Sequence, residues 1–163
     1  MKNNNIPIFQ RVILGFLYGP IGGVLAAIVL AAFADRASGS FRGFLENAVI
    51  LGSGGLIGGY IGILIIGLPL FFLLHCSKTE SVIPLAVIGF VAPALLGLLF
   101  GIKGALLFGY FGLAVATTFG IFTIHLPNKI PDLQRFKVFF AFATIANIAL
   151  ITFCIAAYYL IPH

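Results

Sequence analysis

The chain has 163 residues, of which 61% are hydrophobic and 8% charged, against about 45–50% and about 25% in a soluble domain. With 20 glycines and a net charge of +5 besides, too little polar side chain remains to clothe a water-soluble globule. A soluble enzyme is excluded, and an integral membrane protein is the expectation.

A helix rises about 1.5 Å per residue, so about 20 apolar residues cross a hydrocarbon core of about 30 Å. Five runs meet that length: residues 12–34, 47–74, 82–102, 104–124 and 138–161. They must be helices, because a bilayer offers backbone amides no water, and runs such as Ile61 to Leu74 lack the alternation of a barrel strand. The expected fold is all-α, a polytopic transmembrane helical bundle forming a single domain over 1–163. No stretch between the runs is long enough for a separate catalytic or nucleotide-binding unit.

In the first run, Ala32-Phe33-Ala34 has the small-x-small look of a signal-peptide cleavage site. The apolar stretch of 12–34 exceeds a signal core of about 7–15 residues, so it reads as a span. Gly15, Gly19, Gly23, Ala27 and Ala31 recur every four residues along it, and Pro20 predicts a bend. In the second run Gly54, Gly58 and Gly62 keep the same spacing. Such a small-residue face lets another backbone come close enough for the dispersion contacts that hold helices together in lipid. Two uses follow: the faces hold the first and second spans together within one subunit, or at least one faces a neighbouring subunit. Later in the second run, Gly67-Leu68-Pro69 predicts a kink near residue 66, since proline removes one hydrogen bond and crowds the preceding turn.

Only Lys103 interrupts the third and fourth runs, and Gly101-Ile102-Lys103-Gly104 predicts a tight helical hairpin with the charge at headgroup level. The alternative is a re-entrant third segment, favoured by Pro93 and the glycines at 89, 97 and 101. The fourth run repeats the small-residue spacing with Gly112, Ala116 and Gly120. No Asp, Glu, Lys, Arg or His lies deep in any run, which disfavours an ion-coupled transporter. The polar groups left there are Thr117, Thr118, Thr144 and Asn147. Asn147 reads as an interhelical hydrogen-bond clip rather than a substrate ligand.

With five spans, Lys2, Arg11, Lys78, Lys129, Arg135 and Lys137 share one side, and Arg36, Arg42 and Lys103 the other. The positive-inside rule then places the N-terminus in the cytoplasm. The loop from His125 to Lys137, with Lys129, Arg135 and Lys137, is cytoplasmic with or without re-entry, and its charges suit anionic lipid headgroups. Basic residues spread thinly over several loops make no nucleic-acid patch. His75, Cys76 and His125 fall short of the four ligands of a closed zinc site, and Cys76 and Cys154 differ in depth, which argues against a disulfide. Arg42 and Glu46 read as a surface helix pair. No catalytic residue, metal or cofactor is assigned, because no nucleophile and base stand at a spacing that fixes their geometry.

The short basic loops point to a bacterial inner membrane. The expected role is a non-enzymatic sensor, scaffold or anchor subunit, packed by glycine zippers, in contact with lipids and in a homo-oligomer or with a partner protein. The alternative is an oligomeric pore, channel or permeabilising effector, for example in bacterial defence.

Overall fold

Glycine and proline decide where the helices of this chain turn and widen. The computed structural model describes residues 6–34, 41–77, 81–129 and 133–160, and every regular element among them is helical. Helix α1 (Ile8–Ala34) runs without a break through Pro20. Helix α2 (Phe41–Gly62) starts a turn and a half earlier than the apolar run suggested, and the Arg42–Glu46 pair (2.8 Å) sits on that added polar turn. At such exposure the pair is worth at most about 0.5 kcal/mol.

The kink in the second run takes a defined form. Residues Ile63–Gly67 make a π-helical turn, in which the Leu68 N–H reaches back five residues to the Ile63 carbonyl, and helix α3 (Leu68–Cys76) follows. Pro69 is the reason: it has no N–H to donate, and its ring crowds the carbonyl four residues earlier, so the backbone widens just before it. The same device occurs once more. Gly120-Ile121-Phe122-Thr123-Ile124-His125-Leu126-Pro127 matches Gly62-Ile63-Leu64-Ile65-Ile66-Gly67-Leu68-Pro69 at five of eight positions, those of Gly62, Ile63, Ile66, Leu68 and Pro69. Its residues Ile121–His125 form a second π turn, with the Leu126 N–H on the Ile121 carbonyl.

Helix α4 (Val82–Gly97), capped by the Ser81 hydroxyl accepting from the Ile83 N–H at 3.3 Å, continues unbroken past Pro93. A 3-10 turn at Leu98–Phe100 leads to Gly101 at φ 81°, and helix α5 (Gly101–Gly120) returns along α4. A methyl group on Gly97 would stand 2.5 Å from the Gly104 carbonyl oxygen, so the two backbones touch at the turn. The apolar stretch Val82–His125, 44 residues long, is therefore a hairpin folded at Gly101. Gly101 combines its positive φ with a ψ of −177°, a region open essentially only to glycine, so Gly101→Ala is expected to lower stability by about 1–3 kcal/mol. An unchanged melting temperature would show that the folded state does not use this turn.

Beyond the second π turn the chain stays helical in α6 (Leu126–Lys129), and α7 (Leu133–Leu160) begins four residues later. The expected loop from His125 to Lys137 is thus mostly helix. Pro127 is accommodated by the π turn ahead of it, and helices need not stop where the hydrocarbon stops.

Helix α1 lies at the centre, against α2, α5, the second π turn and α7, while α4 packs on the outer side of α5. The shared core is Ile63, Phe71, Leu85, Val115, Phe119 and Ile124. Outside it the molecule is unusually apolar: Leu99 is 83% exposed, Phe9 73% and Ile83 72%. Water would penalise such a surface, whereas lipid would not. Three stretches, Ile8–Phe33, Arg42–Cys76 and Val82–His125, are long and apolar enough to cross a bilayer, and Lys137–Thr152 is a shorter apolar helix.

Candidate functional site: a lateral apolar groove beside a polar clip

The small residues of α1 are consumed inside the molecule. Gly15 lies against Thr123 and Phe119, Gly19 against Ile63 and Phe119, and Gly22 against Thr118. A methyl on Gly23 would stand 2.7 Å from the Gly55 carbonyl oxygen, and one on Gly59 3.1 Å from the Pro20 Cα. The α1–α2 crossing is therefore backbone on backbone, which only glycine permits.

In α2, however, the residues that meet α1 are Gly55 and Gly59, with Gly52 at the edge of contact. Among the described residues the stripe Gly54, Gly58 and Gly62 packs against no other helix: a methyl on any of them finds no atom of a neighbouring element within 4 Å. This corrects the simplest expectation, that both zippers clamp the first two spans together. Gly54-Gly55 and Gly58-Gly59 are doubled, so two stripes one residue apart were on offer, and α1 took the second.

The unused stripe floors a groove of about 340 Å³ between α2 and the α4–α5 hairpin. Its far wall is Leu107, Phe108, Phe111 and Val115 of α5, with Gly89 and Pro93 of α4 at its back. Ile63, Ile66 and Gly67 of the first π turn and Leu70 of α3 close one end. Its lining runs from Ile50 of α2 through the π turn to Leu70 of α3, about 30 Å at the helical rise. Gly54 and Gly58 are exposed and Phe108 is 42% exposed, so the groove is open at its side. Its lining side chains are hydrocarbon without exception, so it offers shape and apolar area and no chemistry.

The polar residues of the helices gather elsewhere. Asn147, 5% exposed, donates from Nδ2 to the carbonyls of Leu17 (2.7 Å) and Ala143 (2.8 Å) and accepts at Oδ1 from the Tyr60 hydroxyl (2.6 Å). One side chain so joins α1, α2 and α7. A turn and more away, the Tyr18 hydroxyl donates to the Phe139 carbonyl (2.9 Å) while its ring stacks on Phe122 at 3.7 Å. Thr118, Thr123 and Thr144 each donate back to a carbonyl one turn earlier in their own helix, those of Ala114, Phe119 and Phe140. Thr117 is half-buried on α5. Ser53 donates to the Ile50 carbonyl at 3.0 Å. Ser53, Thr118, Thr123 and Thr144 thus bond within their own helices, whereas Asn147 and Tyr18 bond across helices.

Among the basic residues, Lys137 is exposed at the start of α7, whereas the side chains of Lys129 and Arg135 lie outside the described set. Asp35, Arg36, Lys78 and Asp132 fall outside it too. The His75 ring stacks on Phe71, with centroids 6.1 Å apart, and Cys76 is exposed beside it. Among the described residues no three His, Cys, Asp or Glu side chains come together as metal ligands.

No family model, curated protein or solved structure matches the chain. The residues that sequence reasoning passed over are Tyr60, Tyr18, Gly55 and Gly59. The doubled glycines were the available signal for the last two; nothing local marks Tyr60 as the partner of a residue so far along the chain.

Proposed function

We propose that this is a small non-enzymatic protein of the bacterial inner membrane, crossing it five times with its N-terminus in the cytoplasm, which serves as a scaffold, sensor or anchor subunit by receiving another membrane helix in its lateral groove. The carrying observation is the open stripe Gly54, Gly58 and Gly62. Backbone-exposing glycine stabilises nothing when it faces lipid, and it costs about 0.5–1 kcal/mol relative to alanine in a helix interior. A stripe of it beside an open apolar groove makes sense as a surface for close helix approach.

The five crossings rest on the apolar runs of the sequence, and the three long apolar stretches of the structure support a membrane-spanning helical bundle. The basic residues at the ends set the orientation. The scatter of Ser53, Thr117, Thr118 and Asn147 over separate interfaces favours this role over a pore, which needs polar groups converging on one path. Pure protein in planar bilayers is expected to be electrically silent. Reproducible single-channel steps, abolished by a bulky residue at Thr117 or Asn147, would reverse the choice.

The reading is tested by extracting the full chain from its membrane directly into lipid nanodiscs and weighing the particles by native mass spectrometry. An assembly containing more than one polypeptide is the expected result. Monomers alone, with only lipid held in the groove, would sink it.

A further inference from the structure

Helix α7 is held to the bundle in a different way from the others. Every turn of α1 from Leu14 to Ala31 buries a residue, whereas among the described side chains of α7 only Ala143 and Asn147 are buried. Val138, Phe142, Ile145, Ile148 and Ile151 lie exposed along it. A methyl group and an amide offer little area for dispersion, and lipid supplies no hydrophobic force to press helices together. Docking of α7 therefore rests chiefly on three hydrogen bonds: from Asn147 Nδ2 to the Leu17 carbonyl, from the Tyr60 hydroxyl to Asn147 Oδ1, and from the Tyr18 hydroxyl to the Phe139 carbonyl.

The first of these bonds lands beside a weak point of α1. Pro20 has no N–H, so the Phe16 carbonyl four residues earlier lacks its partner within the helix, and the proline ring crowds that same turn, to which Leu17 belongs. Proline inside a membrane helix is tolerated where a neighbouring helix supplies donors to the loosened backbone. The Asn147 amide, 2.7 Å from the Leu17 carbonyl oxygen, is such a donor. Helix α2 holds the same step by packing: a methyl on Gly59 would stand 3.1 Å from the Pro20 Cα, and the Tyr60 ring lies 5.0 Å from that of Phe16. The proline step of α1 is thus clamped by the glycines of α2 and capped by the amide of α7.

We propose that α7 is a movable arm, latched to the bundle by the Asn147 amide capping the proline step of α1, which leaves and redocks as a unit while α1, α2, α4 and α5 stay packed. Hydrogen bonds between helices in a membrane are individually weak, so a released minor population coexists with the docked one. Release bares the Leu17 carbonyl and the Tyr18 and Tyr60 hydroxyls to hydrocarbon, which draws the arm back. The device is independent of the groove, whose lining includes no residue of α7.

The test measures distances between spin labels by pulsed electron resonance on the full chain in lipid nanodiscs, with Cys76 and Cys154 replaced by serine. One label pair joins Val87 of α4 to Ile155 of α7, and a reference pair joins Val87 to Ile28 of α1; all three positions are exposed, so the labels disturb no packing. Asn147→Leu is expected to raise the odds of a longer Val87–Ile155 distance about tenfold, as the loss of two interhelical bonds implies, and to leave the reference distance unchanged. Tyr60→Phe, which removes one bond and keeps the ring, is expected to shift the same pair less. Pro20→Ala restores an N–H to the proline step, so in that background the rise caused by Asn147→Leu is expected to shrink by at least about half. A Val87–Ile155 distance that Asn147→Leu does not move overturns the latch, and so does broadening of both pairs together, which would mean that the whole bundle loosens. A rise of the same size with and without Pro20 overturns the capping of the proline step.

Discussion

Gly23→Leu is expected to destabilise the fold strongly, while Gly58→Leu leaves it nearly unchanged. Both glycines belong to four-residue stripes of the same kind, so local sequence does not separate them. At Gly23 the first added carbon would sit 2.7 Å from the Gly55 carbonyl oxygen and 3.1 Å from Val115. The obstacle is backbone, which cannot rotate away, and α1 would have to withdraw from α2 and α5 together. Overpacking of a tight core costs about 1–3 kcal/mol and occasionally more. At the centre of the three-helix contact the upper end of that range is expected, enough to exhaust a large part of a typical 5–15 kcal/mol of stability. Thermal melts of the two variants in the same detergent check the contrast. Equal melting temperatures would mean that α1 and α2 do not cross at Gly23.

Asn147→Leu is expected to release α7 from the bundle. Besides its backbone-to-backbone proximity, α7 is tied by the Asn147 bonds to Leu17 and Tyr60 and by the Tyr18 bond to Phe139. Leucine removes the two interhelical bonds made by Asn147 and leaves the Tyr60 hydroxyl without its acceptor. Interhelical hydrogen bonds in membranes average about 0.6 kcal/mol and reach about 1.7, so a loss of about 1–3 kcal/mol is expected once the stranded hydroxyl is included. Tyr60→Phe alone removes one bond and strands only the Asn147 oxygen, so it should cost less. The double variant should lose less than the two single losses together, because each partner's removal already breaks the same bond. Strict additivity in that cycle, measured by reversible unfolding in mixed micelles, would show that the Tyr60–Asn147 bond contributes nothing.

Much of the fold was legible in the residues themselves. The helices at α1, α2, α4, α5 and α7 follow from apolar run length, the turn at Gly101 from a glycine beside Lys103, and the disturbance before Pro69 from the chemistry of proline. Helix ends were less legible. The Arg42 turn at the head of α2 and the α6 turn around Pro127 are polar or proline-bearing, and a hydropathy run stops where helix-forming backbone does not. The polar clip was half legible: Asn147 stands out as an amide in an apolar helix, whereas its partners, a tyrosine and a main-chain carbonyl, carry no local mark.

What the sequence determined by itself is what local chemistry determines: apolar length, turn-forming glycine, widening at proline, and small-residue stripes able to bring helices together. Which stripe is used was decided only by tertiary structure. Gly54-Gly55 and Gly58-Gly59 offer α1 two seats about 100° apart around one helix, with nearly the same local contacts. The choice between them depends on where α5 stands, because α1 must satisfy α2 and α5 at once. Gly22 reaching Thr118 and Gly23 reaching Gly55 fix the rotation of α1, and the stripe left over becomes the groove.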